Sequence, residues 1–158
     1  MDHIDKKIIE ELQKNSSIPV SELSKKIGIT TTPCWNRIKK LEEDKIIISK
    51  TISLDNNKIN LDTTVFLSIS IQNHKEEWLK NFEKVVNKYD EIIEVHRISG
   101  SNMDYQLTIL IPSIKEYDVF QQKLIKEIEC TNLSSQFSMN ILINFISAIM
   151  IIGHNGHI

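Results

Sequence analysis

A cluster of cationic and hydrogen-bonding side chains lies in residues 31–40, TTPCWNRIKK. Threonine, asparagine, arginine and lysine are the types that contact phosphates and base edges in a DNA major groove. At 100° per residue, these side chains divide between two faces of a helix. The polar face carries Thr32, Asn36, Lys39, Lys40 and Glu43, and the apolar face opposite carries Cys34, Ile38 and Leu41. Trp35 and Arg37 lie at the flanks between the two faces. This pattern favours a helix that contacts DNA, although an exposed polar face is often simply solvated.

Two further helices are predicted to precede this one. Residues 2–14 carry isoleucine and leucine at helical spacing, with acidic residues first and a lysine last, as the helix dipole favours. A second helix is predicted to begin at Pro19 and to end before Gly28, where a left-handed residue suits a helix C-terminus.

The third helix has its own start signal. Thr30 can act as its N-cap, with a hydroxyl able to accept a hydrogen bond from the first turn. Pro33 then falls in that turn, where its missing N–H removes no intrahelical bond. The order helix, loop, helix, glycine turn and helix is that of a helix-turn-helix, although a generic three-helix packing shows it too.

After residue 45 the pattern changes from helical to β-branched. Residues 46–54 predict a strand, and the polar residues 55–62 predict a linker. The following pattern predicts strand 64–72, helix 75–89, strand 92–99, strand 104–111, helix 115–129 and strand 135–143. Residues 146–152 could add a fifth strand. We therefore predict an α+β protein with an N-terminal helix-turn-helix (winged-helix-like) domain and a C-terminal ferredoxin-like βαββαβ domain.

The domain boundaries and the association state follow from this pattern. We predict a helix-turn-helix domain in residues 1–50, a strand and linker in 51–62, and the ferredoxin-like domain in 63–158. One face of the predicted sheet has no helix to cover it, and residues 141–152, ILINFISAIMII, are strongly apolar. A second copy of the chain is the simplest cover, so we predict a homodimer or a higher homo-oligomer.

Composition narrows the functional class only slightly. The chain has 158 residues, 41% hydrophobic and 25% charged, with a net charge of −2. Residues 1–50 have a charge balance of +2 and the remainder −4, which favours the N-terminal part for contact with a polyanion. The charged N-terminus does not resemble a signal peptide, and the apolar run of residues 141–152 is too short to span a bilayer, so a cytoplasmic protein is predicted.

Enzymatic, metal and cofactor signals are weak. Cys34 and Cys130 are far apart, and the pair His154 and His157 lacks a third ligand, so no metal is predicted. With four glycines, the chain has no phosphate-cradling loop and no predicted cofactor. We predict that the protein is not an enzyme. The alternative is a small ferredoxin-like metabolite-binding enzyme or sensor with no DNA role, which would leave the basic helix unexplained.

Two segments resemble one known family. Residues 4–47, IDKKIIEELQKNSSIPVSELSKKIGITTTPCWNRIKKLEEDKII, resemble the N-terminal domain of the Lrp/AsnC feast/famine transcription regulators. Residues 95–100, VHRISG, and 104–125, DYQLTILIPSIKEYDVFQQKLI, resemble the effector-sensing domain of that family. The chain departs at Lys45, where the family usually has glycine, and in a loop one residue longer than usual at 101–103.

The resemblance implies specific partners and residues. The partners are double-stranded DNA, an amino-acid effector and other copies of the chain, commonly in an octamer. The DNA-facing residues would be Thr31, Thr32, Asn36, Arg37, Lys39 and Lys40. The effector-binding residues would be Ser99, Gly100, Met103, Asp104 and Tyr105, with Ser135 and Ser138 contributed by a neighbouring subunit. Taken alone, the loop sequence favours a plain hairpin turn.

Overall fold

The protein is described by a computed structural model that covers residues 1–72, 75–100 and 102–140. It contains two compact units, which meet in the sequence between residues 53 and 54. Each unit has its own hydrophobic core. The boundary falls inside the predicted linker 51–62, but the limits of the predicted domains stay a prediction.

The first unit contains the three predicted helices: α1 (His3–Lys14), α2 (Val20–Ile27) and α3 (Thr31–Glu43). Its centre is formed by the fully buried side chains of Ile8, Leu23 and Cys34. Gly28 ends α2 with φ +80°, a left-handed conformation that glycine adopts without strain, and its N–H donates to Ser24 O at 3.0 Å. The glycine turn therefore sets the direction in which α3 leaves α2.

The start of α3 differs from the prediction in one respect. Thr30 is the N-cap residue, but its hydroxyl accepts no capping hydrogen bond. An N-cap side chain normally accepts from the second or third N–H of the helix. The third position here is Pro33, which has no N–H, so half of the available donors are missing.

The predicted strand at residues 46–54 is wrong. The structure assigns no helix or strand to these residues, and Ile48 and Ile52 are 86% and 80% exposed. A β-branched run satisfies the extended backbone preference, but a strand also needs a neighbour for its N–H and C=O groups. Within the described part of the chain no segment pairs with it. A short 3₁₀ helix, Asn56–Ile59, lies in the predicted linker.

The second unit is a four-stranded antiparallel sheet with two helices. Its elements are β1 (Thr63–Ser70), α4 (Glu76–Val86), β2 (Ile92–Arg97), β3 (Tyr105–Ile111), α5 (Ile114–Glu127) and β4 (Asn132–Phe137). The strand order β2-β3-β1-β4 is that of a ferredoxin-like fold. The last strand begins three residues earlier than predicted. Residues 141–143 of that prediction, the possible fifth strand 146–152 and the pair His154/His157 lie outside the described residues.

Strict alternation in β1 and β3 decides which face of the sheet is covered. Val65, Leu67 and Ile69 of β1 are buried, and each pairs with a buried residue of β3. The apolar sides of α4 and α5 pack on this face, as their 3.6-residue periodicity predicts. The other face presents half-buried side chains such as Phe66 and Ser68. In the part of the chain that the structure describes, both helices of this unit lie on the first face.

Candidate nucleic-acid interface and effector loop

Five of the six predicted DNA-facing residues of α3 are exposed to solvent. Cys34, Ile38 and Leu41 are buried against the first two helices, which fixes the rotation of α3 about its axis. Burial also raises the pKa of the Cys34 thiol, which agrees with a packing role. The exposed residues are Thr31, Thr32, Asn36, Lys39 and Lys40. The helix therefore presents donors and cations along one side, while their contact with DNA stays a prediction.

Arg37, the sixth predicted residue, is held by two carboxylates of α1. Its Nη1 donates to Asp2 Oδ2 and to Asp5 Oδ1, each at 2.7 Å. The same carboxylates close a capping box at the start of α1, because Asp2 Oδ1 accepts from the Asp5 N–H and Asp5 Oδ2 accepts from the Asp2 N–H. Arg37 thus joins the start of α1 to the middle of α3, and any role of Arg37 in DNA binding stays a prediction.

The sequence pattern did not reveal this ion-pair cluster. Asp2 and Asp5 looked like helix-dipole residues, and more than thirty residues separate each of them from Arg37. The position of Arg37 at the flank of α3, rather than at the centre of its exposed face, was the available signal.

Acid should weaken the first unit through Asp2. The N–H of Asp5 and then the guanidinium of Arg37 lower the pKa of Asp2 from 3.8 to about 2. A lowered folded-state pKa stabilises the fold above the unfolded value, and this contribution is lost as pH falls from about 4 to about 2. We expect the thermal midpoint of the first unit to fall over this range.

The matched variant for this measurement is Asp2→Asn, because asparagine caps helices as well as aspartate does but does not titrate. The midpoint of this variant should fall less steeply over the same pH range, measured by circular dichroism. Identical pH profiles of the two proteins would contradict the assignment to Asp2.

The loop between β2 and β3 contains the predicted effector-binding residues. Ser99 and Gly100 are exposed, and Gly100 has φ +93°, which favours glycine. Asp104 connects the loop to the end of β1, because its N–H donates to Ile69 O and its Oδ2 accepts from the Ile71 N–H, both at 2.8 Å. The loop is therefore anchored at Asp104 to the end of β1.

Tyr105 and Met103 lie deeper than the start of the loop. The Tyr105 side chain is 7% exposed, and its ring lies 4.9 Å from that of Phe82 and 5.5 Å from that of Trp78. Met103 is half-buried. Tyr105 thus contributes to the core beneath the loop, and binding of an effector by either residue stays a prediction.

The two predicted residues of the last strand have different surroundings. The Ser135 hydroxyl lies 2.6 Å from that of Tyr117 and accepts from Gln121 Nε2 at 3.3 Å, so this side chain faces α5. Burial raises the pKa of the Tyr117 hydroxyl above its ordinary value. Ser138 follows the strand, and its N–H donates to Thr64 O at 2.9 Å.

Within one chain, the loop and Ser138 lie at opposite ends of the sheet. Tyr105, at the end of the loop, pairs with Ile69, whereas Ser138 bonds to Thr64 at the other end of β1. Five residues of strand correspond to about 16 Å at roughly 3.3 Å per residue. The structure of one chain therefore does not bring the two predicted halves of the effector site together.

Comparison with known proteins identifies the two units. Residues 1–48 match the family model for a winged helix-turn-helix DNA-binding domain. Residues 64–145, more than half of the chain, match the model for the Lrp/AsnC ligand binding domain. This chain belongs to the Lrp/AsnC family. The predicted fold class and the predicted role as a DNA-binding transcription regulator of the Lrp/AsnC type are confirmed.

Similar proteins cover nearly the whole Lrp/AsnC chain. The glutamate uptake regulatory protein of Zymomonas mobilis is 40% identical over 139 residues, which are 88% of this chain and 84% of that protein. An AsnC family transcriptional regulator from Agrobacterium tumefaciens is 42% identical in sequence and superposes with a TM-score of 0.88. This match covers 93% of the present chain and 95% of the Agrobacterium chain. A transcriptional regulator from Neisseria meningitidis, crystallised as a complex with L-methionine, shares the fold with 24% identity, a TM-score of 0.87 and the same two coverages.

Metal-binding clusters and membrane-spanning helices are both absent from the described ranges. Within them, no group of three or more histidine, cysteine, aspartate or glutamate side chains is arranged to hold a metal ion. No helix of the same residues has the length and apolar character that crossing a membrane requires.

Proposed function

We propose that this Lrp/AsnC regulator contacts duplex DNA through Thr31, Thr32, Asn36, Lys39 and Lys40. The observation that carries the proposal is the division of α3 into a buried apolar face and an exposed face of donors and cations. Lysines supply charge for phosphates, while threonine and asparagine can donate to base edges. Glu43 and Asp44 follow the cations, so the last turn of α3 is the part that should leave the groove.

We also propose that the working form is a homodimer or a larger homo-oligomer. Ile48 and Ile52 are almost fully exposed, and Ile46 and Leu54 are about half exposed. The four lie at even-numbered positions, with Lys50 between Ile48 and Ile52. In an extended segment, alternate positions share one face. A row of large apolar side chains is costly to expose, and the same segment of a second copy would cover it. Two copies would present their α3 helices to half-sites about one DNA turn, roughly 34 Å, apart.

The effector proposed here is an amino acid bound between subunits. The Neisseria neighbour was crystallised with L-methionine, which makes amino acids the class to test first. The loop with Ser99 and Gly100 and the strand end with Ser138 lie at opposite ends of one sheet. A site that uses both must therefore take them from different chains. The effector would bind one oligomeric assembly, or an assembly of one curvature, more tightly than the others, and would thereby shift the equilibrium toward it.

The testing experiment combines three measurements on the full chain. A footprint on DNA upstream of candidate target genes should show protected half-sites, and light scattering should give a mass of at least two chains. Thermal shift with each standard amino acid should then raise the midpoint with one or a few of them. A monomer, or no protection of any DNA at low salt, would contradict the proposal.

The enzyme alternative predicts the opposite pattern. A metabolite-binding enzyme without a DNA role would not be retained on DNA and would give no footprint. The named relatives are regulators, and we propose no catalytic role for this chain. We further propose that it acts in the cytoplasm, in contact with its DNA target.

A further inference from the structure

Trp35 is a large aromatic residue on the flank of α3, and 52% of its side chain is exposed. The Lys39 side chain, one helical turn later, places its Nζ 5.5 Å from the centroid of the Trp35 ring. This is within the distance at which a cation is attracted to the negative face of an aromatic ring, and tryptophan is the most effective partner. The two side chains therefore form a cation–π pair on the side of the helix that is proposed to contact DNA.

The ring also borders a groove of about 370 Å³, which Lys39, Glu42 and Lys50 line as well. Leu12, Ile18 and Val20 line this groove together with the Trp35 ring. An apolar wall next to the ring favours rotamers that keep the indole along the flank of the helix. The ring is thereby kept where the Lys39 ammonium can lie over it.

Lys39 has a second, exposed contact with Glu43. Its Nζ lies 3.7 Å from Glu43 Oε1, and both side chains are more than half exposed. Exposed ion pairs of this kind contribute little and are screened by salt. A phosphate can replace the Glu43 carboxylate without requiring Lys39 to leave the ring.

We propose that Trp35 is a positioning residue for DNA binding, whose ring holds the Lys39 ammonium in place to meet a phosphate. The inference rests on the proposed role of α3. A free lysine side chain loses rotamer entropy when it is fixed, so a lysine that is already restricted loses less on binding. Lys40 provides the comparison, because it lies about 100° away around the same helix.

A double-mutant cycle on DNA affinity tests this role. The probe is a mixed-sequence duplex about 30 base pairs long, since phosphate contacts do not depend on sequence. Trp35→Ala should weaken binding about twofold to fivefold in the wild-type protein. In the Lys39→Ala protein the same substitution should have almost no effect, whereas in the Lys40→Ala protein it should keep its full effect.

Conservative variants separate the ring from its bulk. Trp35→Phe and Trp35→Tyr keep an aromatic face and should retain part of the affinity, whereas Trp35→Leu should behave like the alanine variant. A substitution at Trp35 that weakens binding equally with and without Lys39 would show that the indole contacts DNA itself and would overturn the inference. So would an unchanged affinity in a folded Trp35→Ala protein, as judged by its thermal midpoint.

The cycle distinguishes this inference from the proposed function. If the wild-type protein does not bind the duplex at low salt, the proposed DNA contact by α3 is wrong, and the role of Trp35 falls with it. If the wild-type protein binds and Lys39→Ala weakens binding, the proposed function stands whatever the result at Trp35.

Discussion

The double variant Lys39→Ala/Lys40→Ala is expected to bind DNA about a thousandfold more weakly at about 0.1 M salt. In a dimer it removes four cations from two exposed helix faces. Each phosphate contact contributes about 0.9 to the slope of log K against log salt concentration. The slope should therefore become shallower by roughly three to four, which gel-shift titration over a range of salt concentrations can measure.

The control for this variant should change net charge equally at another place. Lys80→Ala/Lys84→Ala does so on the exposed side of α4, in the second unit. Its salt slope should match that of the wild-type protein, because those lysines are not proposed to meet phosphates. Equal loss of affinity in the two double variants would mean that net charge, rather than the face of α3, controls binding.

The second prediction with a large expected effect concerns the effector site. Two variants that each lose effector binding should regain part of that binding when they are mixed. Gly100→Val forces a β-branched residue into the conformation with φ +93° and should disable the loop. Ser138→Trp should block the strand end while its backbone N–H still bonds to Thr64. Each variant alone should lose the thermal shift caused by the most active amino acid.

Mixed assemblies of the two variants should regain part of the binding. If the loop and the strand end come from different chains, about one quarter of the sites combine two intact halves, because each half has an even chance of being intact. Calorimetry after joint refolding should measure this fraction. A mixture with no binding sites would mean that both halves come from one chain, contrary to the proposal. Asp104 is unsuitable for such a test, because its carboxylate also holds the end of β1.

Local chemistry made much of the fold predictable. Gly28 favoured a left-handed turn at the end of a helix, and Pro33 suited the first turn of the next one. These signals depend on neighbours within a few residues. The exposed side of α3 followed in the same way, from the spacing of its buried residues.

The remaining features depend on groups that are distant in the sequence. Arg37 could not be assigned to Asp2 and Asp5 from local pattern, because the packing of α1 against α3 creates that contact. Residues 46–54 have strand propensity, but pairing decides whether a strand forms. Ser135 was expected at an effector site, and only the register of β4 on β1 shows that its side chain faces α5.

The two tryptophans of the chain have different environments, one in each unit. Trp35 is half exposed beside a lysine, whereas the indole Nε1 of Trp78 donates to Glu129 O at 2.6 Å and its ring stacks on Phe82. Water around an excited indole shifts its emission to longer wavelength, so the two residues should emit at distinguishable wavelengths. Binding at the proposed DNA-contacting helix and binding at the proposed effector loop could thus be followed separately by intrinsic fluorescence, without an attached dye.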